Sequence, residues 1–200
     1  MAFALAAIPL LFSVIIHEVA HGWVAYRMGD PTAKWSGRLS LNPLKHLDPI
    51  GTLMLFLAGF GWAKPVPVNF NNISDKRKGL IFVSSAGILA NILFAFVALL
   101  FIRLFSTSSS EMTLILVYKV CQSVAYINIT LAALNLIPIP PLDGSKILMG
   151  IVWERTPDFL FRLEPYGFFI IIGLLYLGLL DPLIGFFRWM IGTVIGILLP

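Results

Sequence analysis

The chain has 200 residues, 58% of them hydrophobic and 12% charged; a soluble domain has roughly 45–50% apolar and about 25% charged residues, so a water-soluble globule is excluded and one membrane domain over residues 1–200 is expected. A single cysteine, Cys121, excludes internal disulfides and cysteine-rich metal clusters. The net charge of +4 has no basic tract longer than Lys76-Arg77-Lys78 behind it, which argues against nucleic acid as a partner and makes the basic residues markers of membrane topology.

The first element is an uncharged apolar run from Met1 to Ile16 that continues into HEVAH at residues 17–21. It predicts a helix over about 2–27, stopped near Gly29 and Pro31. The run lacks the basic start of a signal peptide, and cleavage near it would strand His17 and His21, so a retained helix is expected. Residues 32–49 read as irregular and polar. The apolar run 50–63 is only 14 residues long, too short to span, and reads as re-entrant or interfacial. In KPVPVNF, residues 64–70, the prolines cannot donate to a ladder, so an edge strand is expected. Residues 80–102 form a span, the serine-rich 106–111 a polar loop, and a further span centred on 120–137 ends in NLIPIPPLDG at 135–144. A charged helix follows over roughly 145–155. The apolar stretch 166–199, broken at Asp181-Pro182, reads as two short membrane helices or a hairpin. The fold class is therefore an all-α polytopic membrane protein of about five to six transmembrane helices, with a re-entrant segment and a short edge-strand or hairpin region.

Charge sets the expected orientation. If 50–63 does not cross, Arg27, Lys34, Arg38, Lys45, Lys64, Lys76, Arg77 and Lys78 share one face, and Lys146, Arg155 and Arg162 return to it. That face is the cytoplasmic one and the N-terminus lies outside. His17 is then ten residues from Arg27, about 15 Å along a helix, near the middle of a core roughly 30 Å thick.

On a helix, His17 and His21 share one face and can point at one ion, while Glu18 can reach a metal-bound water as general base. Without metal, the same histidines would be buried groups bonding to neighbouring helices. Ionisable residues inside a span are costly and need a compensating partner, which favours the metal. A catalytic zinc needs a third protein ligand and an open position. His46, Asp30, Asp48, Asp75, Glu111, Asp143, Glu154, Asp158, Glu164 and Asp181 are the candidates. Asp143 stands apart because three prolines and a glycine break the chain around it at the end of a span. Such a break is tolerated where the backbone is buried in protein or lines a wet cavity, and it can hold a carboxylate facing the first helix. Its plainer reading is an N-cap for the helix starting at Ser145.

HEVAH, SAGILAN (85–91) and NLIPIPPLDG, in that order and on membrane segments, resemble the site-2 protease family of intramembrane zinc metalloproteases. GWAKPVPVN (61–69) and LNPLKHLDPIGT (41–52) resemble its compact bacterial and archaeal members, which carry no appended domains. The resemblance covers about residues 10–150, with the C-terminal helices 166–199 outside it. It departs at Ile88, where many relatives have proline. It implies His17, His21 and Asp143 as ligands of one Zn2+, with Glu18 as catalytic base and acid, in an endopeptidase hydrolysing bonds within or near transmembrane segments. The alternative is a non-hydrolytic metal-binding transporter or scaffold, against which Glu18 argues, since a transporter needs no base beside its ligands. Another membrane HExxH protease would use Glu154 or Glu164 as third ligand.

Gly87 and Asn91, one turn apart, are read either as a close helix contact with a polar group facing the site or as plain helix packing. Asn135 belongs to the family motif and is a candidate for orienting substrate or fixing the Asp143 loop. Val66 and Val68 could accept an extended substrate by strand addition, or form a structural edge. His46 and Asp48 are read as local structure, with water access or a second metal as the other option. Gly178, Gly185, Gly192 and Gly196 mark a small-residue stripe suited to close helix packing or an oligomer contact. The expected partners are a transmembrane protein substrate and the lipid bilayer. The expected location is the cell membrane, multi-pass, with the site open toward the cytosol.

Overall fold

A computed structural model describes residues 2–58, 63–105, 112–153 and 162–200. The helices are α1 (Ala2–Arg27), α2 (Thr32–Trp35), α3 (Pro49–Ala58), α4 (Lys76–Phe105), α5 (Met112–Asn135), α6 (Asp143–Val152), α7 (Gly167–Tyr176) and α8 (Asp181–Leu198). Their starts follow local chemistry. Asp48 Oδ1 accepts the Gly51 N–H at 2.8 Å ahead of α3, and Asp75 Oδ1 accepts the Lys78 N–H at 3.0 Å ahead of α4. Each satisfies an amide that a first helical turn leaves without a partner. The break foreseen at Asp181-Pro182 is the start of α8, with proline in its first turn, where a missing N–H costs nothing.

Among the described residues, four helices are long and apolar enough to cross a membrane: Ala7–Arg27, Lys76–Phe105, Ile115–Asn135 and Asp181–Leu198. Of the five to six crossings expected, these four have helices of that length among the described residues, and the 166–199 stretch divides unequally. Its first part, α7, has ten residues and reaches about 15 Å, half the thickness of the core.

Helix α4 sits at the centre, against α1, α5 and α6. Its Ile88 and Ala95 pack with Ala132 and Ala133 of α5 and Ile191 and Ile195 of α8. The opposite face of α4 turns outward through Leu89 and Leu93, each 61% exposed, as suits a helix whose solvent is lipid. A polar tie joins α1 to α5 inside the bundle, where Asn128 Nδ2 donates to Ser13 Oγ at 2.7 Å.

The expected edge strand over 64–70 does not form. No strand is present among the described residues, and the one isolated antiparallel bridge joins Leu47 to Ala63. The segment is extended, and its amides are taken by other partners: Val66 N–H by Glu18 and Asn69 N–H by Asp30. Helix α6 begins at Asp143, not Ser145. Leu142 is its N-cap residue, so the Asp143 carboxylate is not spent on capping. A Cβ on Gly185, Gly192 or Gly196 would meet nothing within 4 Å, so these glycines make no close helix contact within the described chain. Gly178 instead closes the turn after α7, with φ +68°, a left-handed conformation that favours glycine. Residues 106–111, with Glu111, and the stretch holding Glu154, Arg155 and Asp158 lie outside the described residues.

Candidate metal centre

His17 and His21 occupy one face of α1 because four residues make slightly more than one helical turn. Asp143 reaches them from the first turn of α6. Its Oδ2 lies 3.1 Å from His17 Nε2 and 3.2 Å from His21 Nε2, and the two imidazole nitrogens are 3.0 Å apart. All three residues are buried.

The far sides of both rings explain which atoms face inward. His21 Nδ1 lies 2.7 Å from the Val83 carbonyl oxygen. A carbonyl only accepts, so that nitrogen carries the proton and Nε2 presents its lone pair. His17 Nδ1 lies 3.0 Å from Asn91 Oδ1, which fixes the same tautomer. With both rings neutral, three acceptor atoms converge without a proton to share, and Asp143 Oδ2 is left without a hydrogen-bond donor. Such a cluster is unfavourable unless a cation lies between them. Tetrahedral ligands about 2.0–2.1 Å from a zinc ion stand roughly 3.3 Å apart, close to the spacing here. The donors fit zinc: two imidazoles and one carboxylate are the three protein ligands of a catalytic site, whose fourth position goes to water or substrate.

Gly87 on α4 lies against the pair. A Cβ there would come within 2.5 Å of His21 Nε2 and 2.6 Å of His17 Cε1, so the close approach of α4 requires glycine. Asn91, one turn on, is completely buried. Both residues thus lie against the histidine pair as well as within the helix packing. Glu18 is half-buried beside His17, and its Oε2 accepts the Val66 N–H at 2.8 Å.

Other sequence candidates fall elsewhere. Val68 packs beside the cluster of Ala25, Ile73 and Val83. Asn135 donates to the Leu131 carbonyl of its own helix at 3.1 Å. His46 is fully buried in its loop, with Nε2 2.7 Å from the Ser40 carbonyl, and Asp48 caps α3. Asp30 accepts the Asn69 N–H across 39 residues of chain, and Asp75 is engaged in a local hydrogen bond. Sequence reasoning missed the Val83 carbonyl, because a backbone partner leaves no residue signature, and it left the roles of Arg38 and Asp30 unread.

A buried His–His–Asp cluster with an adjoining glutamate, set among membrane-length helices, fits a membrane zinc metalloprotease. The chain belongs to peptidase family M50, the site-2 protease family, which matches over residues 105–177, the stretch that holds Asn135 and Asp143. YwhC of Bacillus subtilis, whose name classes it with zinc metalloproteases, is 39% identical over 168 residues, covering 82% of this chain and 77% of the relative. Rip2 of Mycolicibacterium smegmatis, similarly named, is 30% identical over 179 residues, covering 86% and 67%. Rip2 of Mycobacterium tuberculosis H37Rv is 31% identical over 190 residues, covering 92% and 69%. No solved structure matches the chain.

Proposed function

We propose that this zinc metalloprotease is an intramembrane endopeptidase that cuts peptide bonds within or beside transmembrane segments of membrane proteins. One observation carries the reading: the three converging acceptors lie about midway along α1. With His17 ten residues from Arg27 in a span of 21 residues, the site is about 15 Å deep in a core of roughly 30 Å. A metal centre at that depth reaches bonds that a water-soluble protease cannot.

His17, His21 and Asp143 hold the zinc in this reading, Asn91 and Val83 orient the two rings, and Gly87 leaves the space. Bound zinc supplies a Lewis acid that makes water nucleophilic near neutral pH and polarises the peptide carbonyl. Glu18 takes the proton lost by the attacking water and returns it to the leaving amine. One Glu18 oxygen accepts the Val66 N–H at 2.8 Å, which leaves the other free for that role in this reading. The basic residues grouped at the Arg27 end of α1 and the Lys76 end of α4 support a cytosolic opening, an N-terminus outside and one membrane domain over residues 1–200.

The test is cleavage of a single-span substrate panel by purified protein, with bound zinc quantified. Wild type should cleave, Glu18→Gln should keep zinc and lose cleavage, and Asp143→Asn should lose both. Full zinc in Asp143→Asn would remove the third ligand. Zinc binding without cleavage of any panel member would favour the non-hydrolytic alternative.

A further inference from the structure

Glu18 is not held by its own helix. Its partner is the extended segment 64–69, and three features of that segment converge on a single contact. The first is covalent. Val66 stands between Pro65 and Pro67, neither of which has an N–H, so among residues 65–67 the Val66 amide is the one donor. Proline also keeps each preceding residue extended, which stiffens the stretch.

The second feature is anchoring on both sides. Upstream, the Lys64 N–H donates to the His46 carbonyl at 2.8 Å. The buried Arg38 guanidinium donates to the carbonyls of Lys45 and Lys64, and to that of Pro65 at 3.1 Å. Downstream, the Asn69 N–H donates to Asp30 Oδ2 at 2.7 Å. These anchors come from different parts of the chain, and Val66 lies between them. The third feature is register. A Cβ at Gly22 would lie 2.7 Å from Val66 Cγ1 and 2.8 Å from Leu39 Cδ2, so the Val66 side chain sits in the notch that Gly22 leaves. Gly22 is one turn beyond Glu18 on the same face of α1. The side chain and the amide of one residue therefore address the same helix face at two points.

The geometry points to residues 64–69 as an orienting strap, in which Arg38 and Asp30 hold the Val66 N–H on Glu18 Oε2 so that the other carboxylate oxygen is aimed at the reacting water. The inference rests on Glu18 being the general base. A carboxylate beside the metal can rotate and swing, and a donor on one oxygen fixes the orientation of both. Val66 and Arg38 are thus positioning residues that act through Glu18. The strap also limits strand addition, because its Val66 amide is already committed.

The test replaces the Val66 amide by an ester, through incorporation of the α-hydroxy analogue of valine in the full-length protein. This removes the N–H while keeping the side chain, the prolines and the anchors at Lys64 and Asn69, and it weakens only the Pro65 carbonyl as an acceptor for Arg38. Zinc content and KM should match wild type, while kcat falls about 10–100-fold, the usual cost of losing a group that orients a metal site. Arg38→Gln should lower kcat in the same way; where that variant fails to fold, the ester decides. An ester variant with wild-type kcat would overturn the proposal, and so would one with unchanged kcat and raised KM, which would mean that the amide pairs with substrate. Wild type inactive on the whole panel is a different failure, that of the base assignment. Amide exchange at Val66 then judges the contact itself: exchange faster by tenfold or more in Glu18→Ala upholds the strap, and equal exchange overturns it.

Discussion

At Gly87 one hydrogen atom separates an open centre from a blocked one. Alanine favours a helix over glycine by about 0.5–1 kcal/mol, so Gly87→Ala should leave α4 intact. Its Cβ, however, falls 2.5 Å from His21 Nε2, and the imidazole has to give way. The expected outcome is wild-type helicity by circular dichroism with zinc content well below one per chain and no cleavage. Asn91 acts on the neighbouring ring through a hydrogen bond. Asn91→Leu removes the acceptor that fixes the His17 tautomer, and zinc affinity, measured by competition with a chelating dye, should fall about 10–100-fold. The Asn91→Asp variant, which keeps an acceptor, should retain more of it. The HEVAH spacing made the two histidines and Glu18 legible from sequence. The same spacing could not show why each ring turns its Nε2 inward, because one of the two orienting partners is a main-chain carbonyl.

Among the elements, the helices were legible and the segment between α3 and α4 was not. Apolar length and the Asp, Gly and Pro punctuation mark α1, α4, α5 and the start of α8. Residues 64–70 carry alternating valines and prolines, a pattern shared by an edge strand and a strap, and only long-range partners decide between them. Asp30 is one such partner. It is completely buried, which opposes ionisation. Hydrogen bonds from the Thr32 hydroxyl, the Asn69 N–H, the Asn72 amide and the Thr32 N–H outweigh that and hold its carboxyl below the ordinary 3.8. The unfolded chain therefore takes up this proton first as pH falls. The stabilisation is fully present above about pH 4 and is lost as pH drops through the lower folded value. Asp30→Asn should cost about 1–3 kcal/mol near neutral pH by leaving donors unmatched, and should flatten the acid limb of the melting temperature against pH. A parallel shift of the whole curve, with the acid limb unchanged in slope, would place the acid sensitivity elsewhere.

Over the whole molecule, metal and fold are coupled through one buried triangle. Its corners come from α1 and α6, and α4 supplies the groups that orient the rings, so the three elements meet where three acceptors face one another. Composition made the membrane setting legible, but it could not show this coupling, which depends on the turn at Pro140–Leu142 placing Asp143 against α1. With zinc present at about 100 times Kd, binding stabilises the fold by about 2.7 kcal/mol. For a chain of this size that corresponds to roughly 5–10 °C in melting temperature, which a chelator should remove. Asp143→Asn reverses the balance. The asparagine amide can donate to an imidazole lone pair, so the variant relieves the repulsion among acceptors while giving up the anionic ligand. At alkaline pH, where a proton does not take the place of the metal, the melting curves should cross. Wild type should be the more stable protein with zinc, and Asp143→Asn the more stable one in chelator. If chelator leaves wild type still above Asp143→Asn, the triangle is not strained in the metal-free protein, and zinc would add stability without relieving a conflict built into the fold.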